Sequence, residues 1–164
     1  MTDSRLFLVR FALLEGVHLA QLVDEFCELI EGSRDASDPA VERLTPDVYP
    51  DDAEASRSFA ESTRGELLDR RLADAAVVRS ALEPFDSEDD SLNDDDVLVP
   101  RDVLVPATEL DSWLRTLTAL RLVIASRLDI VDDDGRDPDD PRLGVYDWLG
   151  YRLEGLIRSA DEQH

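Results

Sequence analysis

Few residues of this chain have the type and spacing to do chemistry. The two histidines, His18 and His164, lie almost a chain length apart, whereas zinc sites bring imidazoles together at short helical or loop spacings. His18 has apolar neighbours on a helical pattern and is expected to be structural or superficial. The single cysteine, Cys27, excludes an internal disulfide. Set between Phe26 and Leu29, it is expected as a small buried hydrophobe. The sharper alternative, a redox thiol, needs a depressed pKa. The acidic run Asp132–Pro141 matches a calcium loop in composition only: with Gly135 in the sixth place, Ile130 and Pro141 fall where oxygen ligands are required. The 39 carboxylates leave an acid–base pair open, because distances and pKa values are not written in a sequence. There is no Gly-rich phosphate loop, no Gly-x-Ser-x-Gly and no Cys-x-x-Cys. All 17 basic residues are arginine, which removes Schiff-base and P-loop lysine chemistry. The sequence therefore assigns no catalytic residue, cofactor or metal, and the expected class is a non-enzyme.

What remains are polar and aromatic residues set among apolar ones. Arg121 and Arg127, with Tyr146-Asp147-Trp148, have the types for an interhelical polar network, Arg121 to Asp147 being the first pairing to expect. Trp113, Trp148 and Tyr151 offer the alternative of an aromatic surface for a partner.

The net charge of -22 repels phosphate and argues against direct nucleic-acid binding, which draws its affinity from neutralising phosphates. The densest basic cluster, Arg70-Arg71, is flanked by Asp69 and Asp74 and suits a salt-bridged surface. With 43% hydrophobic residues spread over periodic segments, the chain has the apolar material that a disordered acidic chain lacks. Arg10 interrupts the first apolar run and Asp3 spoils a positive start, so no signal peptide is expected. No run of about 18 uncharged apolar residues predicts a membrane span. A cytoplasmic, reducing location fits both observations and the lone cysteine.

The elements that must position these residues are mostly helices. Residues 5–11 are strand-like. Leu19, Leu22, Val23, Phe26, Leu29 and Ile30 then recur at offsets of three and four, predicting a helix from about 13 to Glu31 that Gly32 ends. Asp38-Pro39 can start a short helix in the connector 33–50. A segment from Asp51 to Glu61 leads to Thr63-x-x-Glu66, a capping-box pattern predicted to open a separate long helix to Leu82. Its inner residues are Leu68, Leu72, Ala75, Val78 and Leu82. An acidic, mobile loop is expected over about 85–96, followed by short edge strands at Val97–Val99 and Val103–Val105 beside Pro100 and Pro106, one of them pairing with 5–11. Thr108 is the predicted N-cap of a helix whose Leu110, Trp113, Leu114, Leu117, Leu120, Ile124 and Leu128 share a face with Arg121. A second acidic mobile loop, about 132–141, precedes a last helix over roughly 143–160, in which Val145, Trp148, Leu149, Leu153, Leu156 and Ile157 are mostly inward. The fold class is mainly α: a compact bundle of about five helical segments with a small two- or three-stranded β element, as one domain over residues 1–164.

Three stretches carry a resemblance: Pro50-Asp51-Asp52-Ala53-Glu54-Ala55 leading to Leu67-Leu68-x-x-Arg71-Leu72-Ala73-x-Ala75; Trp113-Leu114-x-x-Leu117-x-x-Leu120-Arg121-Leu122 leading to Arg127-Leu128; and Val145-Tyr146-Asp147-Trp148-Leu149. Together the chain resembles the actinobacterial oxidative stress regulator AosR-like family, long catalogued as a domain of unknown function and often encoded beside a Clp protease adaptor. The resemblance implies a transcriptional role through contact with RNA polymerase, a sigma factor or another regulator. The gene neighbourhood supplies the alternative, an accessory or adaptor for Clp-dependent proteolysis. Any oxidant sensing would pass through sulfenylation of Cys27, an intermolecular bond or a partner. Isologous homodimerisation through an exposed aromatic or apolar patch stays open.

Overall fold

The structure is a computed structural model that describes residues 5–32, 39–42, 44, 53–86, 100–128 and 141–162, with the side chains of 42, 53–63 and 141–142 excepted. In chain order it forms β1 (Leu6–Ala12), α1 (Leu13–Gly32), α2 (Pro39–Glu42), α3 (Ala53–Ala81), a 3-10 turn (Glu83–Phe85), β2 (Pro100–Pro106), a second 3-10 turn (Ala107–Glu109), α4 (Leu110–Arg127) and α5 (Pro141–Glu162). This is the mainly helical architecture with a two-stranded sheet that the periodicities predict. The expected strand Val97–Val99 lies outside the described residues, as do residues 87–96 of the first acidic loop and 132–140 of the second.

β1 and β2 pair antiparallel, Leu6 opposite Pro106 through Ala12 opposite Pro100. Just beyond the sheet the N–H of Ala107 donates to the carbonyl of Arg5 at 2.9 Å, which makes 5 and 107 a hydrogen-bonded pair. Bonded and non-bonded pairs alternate along an antiparallel ladder, so Phe7–Val105, Val9–Val103 and Phe11–Arg101 exchange main-chain bonds, and the pairs at 6, 8, 10 and 12 direct theirs outward. Pro100 and Pro106 both fall in outward-directed pairs, where a missing N–H costs the ladder nothing. The side chains alternate too: Phe7, Phe11, Val103 and Val105 are buried, whereas Leu6, Leu8 and Leu104 are more than half exposed.

The core lies under β1. Phe11 meets Phe85 edge-on, stacks near-parallel on Trp113 and tilts against Trp148, with centroids 6.2–6.3 Å apart, so one strand residue draws together the first 3-10 turn, α4 and α5. α1 contributes Leu19, Val23, Phe26 and Ile30, and α3 contributes Leu68, Ala75 and Val78. Fully burying each of the larger aliphatic or aromatic side chains is worth about 1.5–3 kcal/mol. Gly16 lets Phe85 sit against α1, because a Cβ there would lie 2.3 Å from the ring.

Four expectations are corrected. α3 runs unbroken from Ala53 to Ala81, so Thr63 is mid-helix: with no proline or turn pair between 53 and 66, the preceding turn already satisfies the N–H groups that a cap would serve. Phe85 does not begin a loop but is buried in the 3-10 turn, because Gly16 leaves room for its ring. Thr108 lies inside the second 3-10 turn, and Glu109 precedes α4 without a side-chain cap bond. The last helix starts at Pro141, a residue whose fixed φ and missing N–H suit a first helical position. Ile157 on that helix, expected inward, is 45% exposed.

Candidate functional site

A polar side chain that sequence reasoning passed over joins three elements of the described structure. Glu15 is the third residue of α1, and its Oε1 accepts the N–H of Ala12 at 3.0 Å. That is the back-reaching half of a capping box, here without a hydroxyl residue to form the other half. Its Oε2 accepts the indole N–H of Trp148 at 2.6 Å and Nη2 of Arg152 at 2.8 Å. The Arg152 guanidinium in turn lies 4.8 Å from the centroid of the Phe11 ring, a cation–π distance. Burial pushes the Glu15 carboxyl up, but the Arg152, Ala12 and Trp148 donors together outweigh it and hold the group below the usual carboxylate range. One carboxylate thus fixes the β1–α1 corner and clamps α5 to it. Ala12 at the position before the helix hides the signal, since a hydroxyl residue is the usual cue.

Two further networks lock helices. Asp74 accepts Arg115 through Nε at 2.8 Å and Nη2 at 3.1 Å, and the Ser112 hydroxyl at 2.9 Å, joining α3 to α4. The Arg115 pairing more than offsets burial and holds the Asp74 carboxyl low. Arg79 donates to Asp24 at 2.9 Å and to Asp86 at 2.6 Å, tying α3 to α1 and to the end of the first 3-10 turn.

The residues singled out from sequence are placed as follows. Trp113 is fully buried and packs as core, with no acceptor for its indole N–H among the described residues. Trp148 is spent on Glu15 and Phe11. Arg121 donates to the main-chain oxygen of Tyr146 at 3.3 Å and lies 4.2 Å from the centroid of that ring. Asp147 lines the same shallow depression as Arg121. Gly150 makes the crossing possible, since a Cβ there would come within 2.9 Å of the Arg121 guanidinium. Exposed Arg127 lines, with His18, an apolar groove of about 400 Å³ between α1, α4 and α5. Cys27 is half-buried. Burial, reinforced by Asp24 and Glu31, pushes its thiol up, the direction opposite to that of a reactive thiolate. Of the three aromatics offered as a partner surface, Tyr151 alone is largely exposed, at 71%.

Three of the exposed apolar side chains, Leu6, Leu8 and Leu104, share the outer face of the sheet, whereas Leu14, Leu122, Tyr151 and Ile157 are exposed singly on helices. Leu8 sits opposite Leu104 and Leu6 opposite Pro106, all in non-bonded pairs, where facing side chains approach most closely. Among the described residues no helix is long and apolar enough to cross a membrane, and no group of three or more His, Cys, Asp or Glu is placed to hold a metal ion.

A mainly helical chain whose polar residues cross-brace its elements, with a two-stranded sheet presenting one apolar face, is a structural class rather than a chemistry. The chain belongs to the DUF2017 family, a domain of unknown function, whose model matches residues 2–160. Comparisons with curated proteins and with solved structures found no match.

Proposed function

We propose that this chain is a non-enzymatic regulatory module that works by binding another protein, and that the partner belongs to the transcription machinery in a response to oxidative stress. The observation that carries the binding reading is the outer face of the β1–β2 sheet, where Leu6, Leu8 and Leu104 are each more than half exposed. Clustered apolar side chains on an otherwise strongly acidic surface mark interaction sites. The polar groups that could have served chemistry support it: Glu15, Asp74 and Arg79 each hold two or more partners that cross-brace the fold. The transcriptional partner rests on the resemblance to the AosR-like regulators, and the net charge of -22 favours contact with protein over independent DNA readout.

The test is affinity purification of the tagged protein from its own cells, before and after peroxide. RNA polymerase or sigma subunits recovered in a peroxide-dependent way are the expected result. Recovery of Clp components regardless of peroxide would contradict it and favour the proteolysis-adaptor reading. Because the Cys27 thiol is pushed up, the peroxide dependence is expected to survive Cys27→Ser.

A further inference from the structure

The apolar groove between α1, α4 and α5 lies outside the polar networks that brace the fold. Phe26 and Leu120 are buried at its floor, and Leu22, Leu29, Val123 and Ile124 stand half-buried along its walls. On α1 it runs from His18 to Leu29, about 16 Å or about three helical turns. The rim on that side is acidic: the C-terminal half of α1 carries Asp24, Glu25, Glu28 and Glu31 and no arginine. Asp24 is committed to Arg79. Glu25 lines the groove between Leu22 and Leu29, and Glu28 follows about one turn on. Both are exposed and have no hydrogen-bond or ion-pair partner among the described residues. Arg127, on the α4 wall, already has a partner of its own. The charge left free at this groove is therefore negative.

We propose that this groove takes a basic amphipathic helix of a partner protein, whose apolar side chains lie between α1 and α4 and whose basic side chains reach Glu25 and Glu28. Helix-in-groove recognition sets apolar anchors one turn apart along one face of the incoming helix. A helix is favoured over an extended segment because the lining is apolar side chains on helices. Such walls offer nothing to main-chain N–H and C=O groups, which a helix satisfies internally and an extended chain would bury unpaired. Charge selects the partner. A second copy would bring another net charge of -22, and an anionic lipid surface would be repelled in the same way. A basic helix is instead drawn by the field of the whole chain and held in register by the two free carboxylates. The groove shares no lining residue with the outer face of the sheet, so it is a separate surface whose failure would leave the reading from Leu6, Leu8 and Leu104 intact.

The probes are three fluorescein-labelled peptides about 18 residues long, enough for an isolated helix. One is amphipathic with a lysine polar face, one has the same apolar face with a glutamate polar face, and one has the composition of the lysine peptide in scrambled order. Each is titrated by fluorescence anisotropy against the full chain at about 0.15 M salt, where a Debye length of about 8 Å suppresses attraction to distant carboxylates. The lysine amphipathic peptide is expected to bind about tenfold or more tightly than either of the others. It should lose about tenfold with Val123→Trp, which fills the groove, and a similar factor with Glu25→Arg combined with Glu28→Arg. It should bind Leu104→Glu like the wild type. Because both glutamates are exposed, their double variant tests the contact even where Val123→Trp disturbs packing. Four results would each overturn the proposal: equal binding of the amphipathic and scrambled lysine peptides, which is charge attraction alone; preference for the glutamate peptide; binding that the glutamate double variant leaves unchanged; or binding lost with Leu104→Glu, which would place the helix on the sheet.

Discussion

Glu15 concentrates at one residue what holds the β1–α1 corner to α5. Replacing it with alanine strands the indole N–H of Trp148 and a guanidinium N–H of Arg152, and leaving such donors without an acceptor costs about 2 kcal/mol. Urea unfolding of Glu15→Ala is expected to show a loss of that size with little change in the denaturant dependence. The pH behaviour follows from the direction of the shifts. Glu15 and Asp74 both titrate lower in the folded chain than in the unfolded one. Their contribution is therefore complete above the unfolded carboxylate pKa of about 4 and is lost as pH falls through the lower folded values. Unfolding curves should be flat from neutrality to about pH 5 and drop below about pH 4, with a shallower drop in Glu15→Gln. Cys27 belongs at this scale too. With its thiol pushed up by burial and two carboxylates, alkylation by iodoacetamide at neutral pH should be slower than that of a free cysteine peptide, and a faster rate would restore it as a redox candidate.

Among the elements, α1 and α5 show how much a missing side chain can decide. Gly16→Ala would place a methyl 2.3 Å from the Phe85 ring, and overpacking of this kind costs about 1–3 kcal/mol. Gly155→Ala adds its methyl to open space and should stabilise α5 by about 0.5–1 kcal/mol, the ordinary helix preference for alanine. Thermal melts of the two variants should move in opposite directions. Helix positions were legible in the sequence because apolar residues recur at offsets of three and four along α1, α4 and α5. Boundaries were less so: Thr63-x-x-Glu66 has the letters of a capping box inside a continuous helix, whereas the glutamate that does reach back, Glu15, follows an alanine. The β1–β2 pairing was legible from strand-like alternation and from the two prolines. That β1 would pack against α5 was not, since Trp148 and Arg152, which meet Phe11, lie more than a hundred residues later in the chain. Arg121 was legible as a polar residue on an apolar face that needs an acceptor. That Tyr146 would offer its carbonyl and ring depends on Gly150, one helical turn further along α5.

For the molecule as a whole, self-repulsion from a net charge of -22 works against compactness. Raising salt from about 0.01 M to about 0.15 M shortens the Debye length from about 30 Å to about 8 Å, so the melting temperature should rise over that range and a fall would be unexpected. Against that acidity the outer face of the sheet presents the apolar side chains of Leu6, Leu8 and Leu104. The most direct test of the protein-binding account is quantitative recovery of partner proteins from the native cells on wild type and on Leu104→Glu, with Leu122→Glu, at an exposed position on α4, as control. Leu104 lies on the outer face of β2 and is 57% exposed, so its replacement should cost no more than its cross-strand contact with Leu8, about 0.2–1 kcal/mol, and leave the fold intact. The account predicts partner recovery lost with Leu104→Glu and kept with Leu122→Glu; equal recovery by all three proteins would contradict it.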